Sequence, residues 1–416
     1  MSPLDAVQEV PDDFDYALNM AVSLGKSADE WRMKQLNILK SIIGSSRTLD
    51  EYWSRRHLQN AKHVAPQVRP HVADILGHSF LWPDTQLPEM LAEGAKPLFA
   101  QEATGVFRGK STEHTISEEE FRLGSGQYMK TLVQRPPPSA DQIEVVWKLS
   151  EKERGIDTLF GYYSLQEMNE KYGTGQWRAS PRHAIWQNGK WRLIDDGKAG
   201  EQNATYSSTE TIHTTCTSAG VAAAASLRKK LGRPFRGKWK LSVATQDMKR
   251  AYRQIPIHPE QERWCVVMLW HPGWGAWAFA EARGLLFGLA GAVLAFNRVP
   301  AFIVAVARRW LAIPVNSFFD DFRIFDVAKS GGSANRFFKL LVEDGLGWML
   351  DADKEQPPSQ RITFLGVVED YFPSDDAGNL LEDYVALRPK DGRVEDILES
   401  IKASLSKPLA GLTPGN

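Results

Sequence analysis

The chain has 416 residues, 43% of them apolar and 24% charged, and a formal net charge of −1. Those values describe an ordinary globular protein and exclude a disordered, fibrous or broadly basic one. With so little net charge, attraction to nucleic acid has to come from local patches. Cys216 and Cys265 lie far apart without a C-x-x-C spacing, which excludes a disulfide framework and a zinc ribbon.

The first residues, MSPLDAVQEVPDDFDY, lack the basic flank and apolar core of a signal peptide, so the expectation is an intracellular protein, cytoplasmic or nuclear, and not a secreted one. Residues 1–135 read as a mainly helical region of unknown role, with periodic apolar positions at Trp31, Leu36, Leu39 and Ile42-Ile43. Pro136-Pro137-Pro138-Ser139 reads as a stiff boundary, after which short strands are predicted.

From Arg182 to Asp195, apolar residues flank Asn188-Gly189, which predicts a β-hairpin. Ser218 to Leu231 is Ala-rich with basic residues in its last turn and Gly232 just beyond, the pattern of a helix with its C-terminal stop. That helix opens a basic patch of Arg228, Lys229, Lys230, Arg233, Arg236, Lys238 and Lys240, with no acid among them.

Leu241, Val243 and Thr245 alternate along one face of a strand that ends at Asp247. A hairpin around Pro272-Gly273 carries Trp264, Trp270, Trp274 and Trp277, whose alternation predicts core packing. Gly284 to Val315 imitates a membrane span, but Asn297, Arg298, Pro300, Arg308 and Arg309 cut it into pieces shorter than the ~18 residues that spanning requires. A buried core helix, with no membrane partner, is expected. Val315 to Phe325 then reads as a strand hairpin with Asp320-Asp321 at its centre. Beyond it come a helix at Ala334 to Gly345, a strand at Ile362 to Val368 and a helix at Arg393 to Leu405. Strands and helices mix without a regular βαβ repeat, so the predicted class is α+β.

The chemistry resides in the acids. An Asp-Asp pair is ordinarily just a turn. In an apolar hairpin, however, an unpaired carboxylate costs several kcal/mol, so paired acids there call for a cation. If the strand ending at Asp247 lies beside the hairpin, carboxylates meet at one sheet edge, and hard oxygen ligands with room for phosphates suit Mg²⁺. Two such ions about 3.5–4 Å apart serve nucleotidyl transfer.

In this order the residues resemble the reverse transcriptases of retrotransposons, of the LTR or tyrosine-recombinase type. Asp247-Met248-Lys249-Arg250-Ala251-Tyr252-Arg253-Gln254-Ile255-Pro256-Ile257 resembles the first palm motif, D-[LM]-K-x-A-Y-x-Q-I-P-[IL]. Leu286-Phe287-Gly288-Leu289 with Ala292 and Phe296 is similar to the second, and Phe318-Phe319-Asp320-Asp321 to the third, [YF]-x-D-D. Gly345-Leu346-Gly347 through Lys354 looks like the next block, and Phe364-Leu365-Gly366 like the primer-grip hairpin. Trp191-Arg192-Leu193-Ile194-Asp195 resembles a fingers strand. The resemblance covers roughly residues 175–370.

It implies right-hand polymerase fingers and palm over 136–380, the start of a truncated thumb over 381–416, and RNA-directed DNA polymerase activity. Asp247, Asp320 and Asp321 would hold two Mg²⁺ ions, with Mn²⁺ as a substitute. Lys354 would be a general acid toward pyrophosphate. Arg192 would bind the triphosphate, Tyr252 would exclude a 2′-hydroxyl, and Phe287 and Gly288 would floor the nucleotide pocket. Phe364, Leu365 and Gly366 would grip the primer. The implied partners are an RNA or DNA template, a nucleic-acid primer and dNTPs.

Departures are conservative in shape: Leu286 and Val293 replace two prolines, and Phe318 replaces a tyrosine. Arg182, His183 and Lys190 all compete for the role of second triphosphate cation, and Asn203 is only a loose match to the family's asparagine. The alternatives are an inactive or domesticated palm that only binds nucleic acid and an RNA-dependent RNA polymerase. The latter class carries an Asp where Tyr252 stands and a Gly before its Asp pair. The sequence stops at Leu412-Thr413-Pro414-Gly415-Asn416, where another helix would begin, and the expectation is a fragment lacking most of the thumb and any RNase H domain.

Overall fold

The computed structural model describes residues 10–187, 189–215, 217–231, 240–374, 377–378 and 385–405. Asn188, Cys216, Gly232, Arg233, Arg236, Lys238 and the terminal residues 412–416, on which several expectations rest, lie outside them.

The chain is mixed α+β with mainly antiparallel sheets. It begins with six helices: α1 (Asp12–Leu24), α2 (Ala28–Ser45), α3 (Arg47–Arg56), α4 (Gln59–Val64), α5 (Pro70–Phe80) and α6 (Leu87–Glu93). Strand β1 (Arg108–Thr112) and helix α7 (Glu118–Leu132) follow. After the prolines the chain forms α8 (Ala140–Arg154), not the predicted strand, because Ser139 accepts a hydrogen bond from the Gln142 amide and starts a helix.

Next come β2 (Leu159–Tyr163), α9 (Leu165–Tyr172), β3 (Ala179–Gln187), β4 (Lys190–Asp195), β5 (Ser208–Thr211) and α10 (Ser218–Leu231). Then follow β6 (Leu241–Asp247), α11 (Pro259–Glu262), β7 (Val266–His271), β8 (Ala276–Ala282) and α12 (Ala290–Leu311). The remainder is β9 (Val315–Phe318), β10 (Asp321–Val327), α13 (Ser333–Leu340), β11 (Gln356–Ser359), β12 (Arg361–Phe364), β13 (Val367–Asp370), β14 (Ala386–Pro389) and α14 (Arg393–Leu405).

Among the described residues the strands form four sheets, ordered β1-β5, β11-β6-β10-β9, β12-β13-β14 and β2-β8-β7-β3-β4. The parallel pair β3–β7 is the exception to antiparallel pairing. Strand β6 lies between β11 and β10, so both its edges are paired, and side chains cover both its faces. Leu241 and Val243 pack with Phe325, Val327, Phe14 of α1 and Ala223 of α10. On the opposite face Ala244 joins Phe322, Ile324 and Phe338 in the main core.

That main core does not stop at the proline boundary. Leu36, Leu39, Val72, Leu76 and Leu91 from the N-terminal helices share it with Phe296, Ile303 and Phe322. Arg32 strengthens the join from the core face of α2. Its guanidinium donates to Asp326 of β10 at 2.9 Å and to the carbonyls of Leu311 and Ala312 at 3.2 and 3.1 Å.

Helix α12 is long and apolar enough to cross a membrane, yet 78% of its most apolar stretch is buried within the protein. Arg308 interrupts that stretch because it is paired: it donates to Val315 O, Asp13 Oδ1 and Asn316 Oδ1 at 2.8 to 2.9 Å. Two of the expectations for the C-terminal half need correction. The predicted strand Ile362–Val368 is two strands, since Leu365 and Gly366 both take positive φ (52° and 77°), the pattern of a type I′ turn. The helical stretch expected from Ala334 to Gly345 is present, α-helical over Ser333–Leu340 and continuing as a π-helix over Leu341–Leu346. Of the four hairpin tryptophans, Trp264 is buried, Trp270 and Trp277 are half-buried and Trp274 is exposed.

Candidate functional site

Strands β6 and β10 pair antiparallel in a register that sets Asp321 directly opposite Asp247, followed by Phe322 against Gln246 and Arg323 against Thr245. Because side chains alternate, Asp247, Thr245, Asp321 and Arg323 lie on one face of the sheet. Asp320 occupies the β9–β10 turn, whose carbonyl accepts from the Met248 amide at 2.9 Å. Its neighbour Phe319 has φ 53°, and a positive φ at the first central residue alone is the signature of a type II′ hairpin turn. A bulky side chain in that region costs about 1–3 kcal/mol. The ladders on both sides hold it there.

The crowding of carboxylates at this sheet end raises the proton affinity of Asp320 and Asp321. Burial, a hydrogen bond with Asp247 and the charge of Asp320 push the Asp321 carboxyl up to about 7. Asp320 is raised too, by burial and then by Asp247, with partial relief from Lys354 and Arg192. Such a group has excess negative charge in a partly desolvated place, the condition that favours a cation.

Lys354 supplies one positive charge. Its Nζ lies 2.6 Å from Asp247 Oδ1, with the side chain 49% exposed and that of Asp247 only 9%. Burial would lower the ammonium, but the hydrogen bond and charge of Asp247 raise it overall. A short 3₁₀ turn, Ala352–Lys354, sets this position, and the Asp351 amide donates to Asp247 O at 2.8 Å. Gln254 fastens the approach from the other side. It donates to Lys249 O and Met349 O at 2.6 and 3.0 Å and accepts from the Met349 amide at 2.9 Å.

Tyr252 stacks on Phe296 at 4.6 Å between centroids and tilts against Phe287 at 4.9 Å. Burial and the charge of Asp320 push its phenol well above the usual range, so it stays neutral. Gly288, at φ 106°, runs against the end of β4, where a Cβ would come 2.2 Å from Asp195 O. Only glycine fits there. Asn203 clamps the same loop, donating to Gly288 O at 2.8 Å and accepting from the Ala290 amide at 2.7 Å.

Arg192 is exposed on β4, and its charge is felt at Asp320. His183 and Lys190 share its face of the hairpin, since Ile185 pairs with Arg192 and Gln187 with Lys190. Arg182 does not join them. Its side chain is fully buried, donating to Asp195 Oδ1 at 2.6 Å and lying 2.8 Å from Glu153 Oε2. Burial alone would raise Asp195, but Arg182 and Arg253 hold it below the usual carboxylate range. Arg182 is therefore removed as a candidate phosphate ligand.

Phe364, Leu365 and Gly366 form the turn of a different sheet. No hydrogen bond or ion pair joins them to the three aspartates among the described residues. The link is indirect: Gln356 of β11 donates to Thr245 Oγ1 at 2.9 Å and to Thr363 O at 2.7 Å. Phe364 itself is buried, with the Arg323 guanidinium 4.6 Å from its ring centroid.

The donor set consists of hard carboxylate oxygens, which suits Mg²⁺ or Mn²⁺ and not zinc. Among the described residues, no three His, Cys, Asp or Glu side chains converge as a ready-made metal cage. Asp321 instead hydrogen-bonds with Asp247, and the Lys354 ammonium pairs with Asp247. Sequence reading missed Glu153, Asp195 and Arg253 as partners, because a charged residue's burial has no local signature; Gln254 stood inside a quoted motif without a role. No protein-family model matches the chain, and no curated protein matches it.

Proposed function

We propose that this chain is a retroelement-type reverse transcriptase comprising fingers and palm, which extends a nucleic-acid primer with dNTPs on an RNA or DNA template. The observation that carries this reading is the register of β6 on β10, with Asp247 opposite Asp321 and Asp320 in the adjoining turn. Held by these three carboxylates, two Mg²⁺ ions would activate the primer 3′-hydroxyl and neutralise charge on the leaving pyrophosphate.

The chain's own residues account for the remaining needs. Arg192, a planar fork of donors on an exposed strand, suits a triphosphate. Tyr252, wedged between Phe296 and Phe287, is a rigid wall against a 2′-hydroxyl. Phe287 and Gly288 form the floor beside it. Lys354 is a charged proton donor next to the carboxylates.

Primer extension on an RNA template, with dNTPs and rNTPs compared in Mg²⁺ and Mn²⁺, tests the proposal. The wild-type protein should extend with dNTPs, and Asp247→Asn or Asp320→Asn should abolish extension. Survival of activity in either variant would refute the ligand assignment. Nucleic-acid binding without extension would favour a binding-only palm, and preference for rNTPs an RNA polymerase.

A further inference from the structure

Behind the candidate pocket, four charged side chains form a closed group in which Arg182, Asp195 and Arg253 are buried and Glu153 is 16% exposed. Asp195 receives Arg182 Nε on Oδ1 at 2.6 Å and Arg253 Nη2 on Oδ2 at 2.9 Å. Glu153 pairs with both arginines, at 2.8 Å in each case. Two cations and two anions balance, which is the condition under which burying four charges is tolerable.

The group ties together three segments that are remote in sequence. Arg253 follows Tyr252 directly and also donates to the carbonyls of Gly284 and Leu285, at 3.3 and 3.0 Å. The Asp195 amide donates to Phe287 O at 3.2 Å, and the Asp195 carbonyl is the atom that forces glycine at 288. Arg182 and Asp195 face each other across the β3–β4 ladder that carries Arg192. Tyr252, the Phe287–Gly288 loop and the strand that carries Arg192 are thus joined through one connected group of side chains.

We propose that Glu153, Arg182, Asp195 and Arg253 are a positioning frame that fixes the distance between Tyr252 and the Phe287–Gly288 floor, and thereby sets sugar selectivity without touching the nucleotide. The selectivity part rests on the polymerase reading; the frame itself does not. A pair that merely stabilised the fold could be replaced by neutral side chains without functional loss, whereas a positioning pair could not.

The test uses Asp195→Asn combined with Arg253→Gln, which removes one charge of each sign and leaves Arg182 paired with Glu153. Asp195→Asn alone leaves an arginine uncompensated and serves to show the stability loss that the double variant recovers. In the double variant, with thermal stability close to wild type, the backbone amides at positions 253, 255 and 285 should exchange roughly tenfold faster with solvent. The dNTP over rNTP ratio of kcat/KM should fall roughly tenfold. Val72→Ala, a core change far from the frame, should leave that ratio unchanged. Unchanged exchange at those three amides, or an unchanged ratio, would overturn the proposal. A wild-type protein that does not extend primers would sink the polymerase reading alone, and the exchange result would still decide the frame.

Discussion

The ammonium of Lys354 sits against Asp247 in the position a divalent cation would contest. Its half-exposed side chain limits the strength of the pair, since solvent screens exposed charges. Removing it should therefore strengthen cation binding modestly: Lys354→Met is expected to tighten Mn²⁺ about three- to tenfold, read by the loss of free-ion paramagnetic signal on titration. If Lys354 is the general acid of the proposed polymerase, extension by the same variant should slow by about 10²-fold. Unchanged or weaker Mn²⁺ binding would mean that the lysine does not compete for the site. At this scale the sequence was informative about which residue types carry charge near Asp320-Asp321. It was uninformative about Arg182, because burial and exposure of an arginine read alike in a linear string.

Among the elements, the loop leading into α12 is the most tightly constrained. Gly288 combines a positive φ with a 2.2 Å approach of its would-be Cβ to the end of β4. Gly288→Ala should destabilise the protein by about 3 kcal/mol, from backbone strain and overpacking together. Urea unfolding would measure it, and a loss within about 0.5 kcal/mol would show that the loop relaxes freely. Elements with local rules were legible. Alternation marked β6, and Pro272-Gly273 marked the turn between β7 and β8. The Leu365-Gly366 turn was legible only through the resemblance to a primer-grip hairpin, because leucine with φ 52° has no local signature and is held there by the β12–β13 and β13–β14 ladders.

For the whole molecule, the acids at the site couple stability to pH. In the unfolded chain Asp321 titrates near ~4, whereas in the fold it titrates at about 7. Between those values the folded state binds more protons than the unfolded one, so this contribution is favourable in acid and is lost as pH rises from about 4 to about 7. A divalent cation bound to the ionised carboxylates reverses that loss. Millimolar Mg²⁺ should accordingly raise Tm more at about pH 8 than at about pH 5. Equal increments at both would contradict cation binding at the three aspartates.

The sequence by itself determined the kind and order of the chemical residues and most of the local elements, because turn chemistry and side-chain periodicity act over a few residues. Only the tertiary structure decided the register that opposes Asp247 to Asp321 and the burial of Arg182, Asp195 and Arg253 in one frame. It also decided that the N-terminal helices share a core with β6 and α12. These depend on contacts between residues tens to hundreds of positions apart, whose energies arise from packing and desolvation that no local pattern encodes.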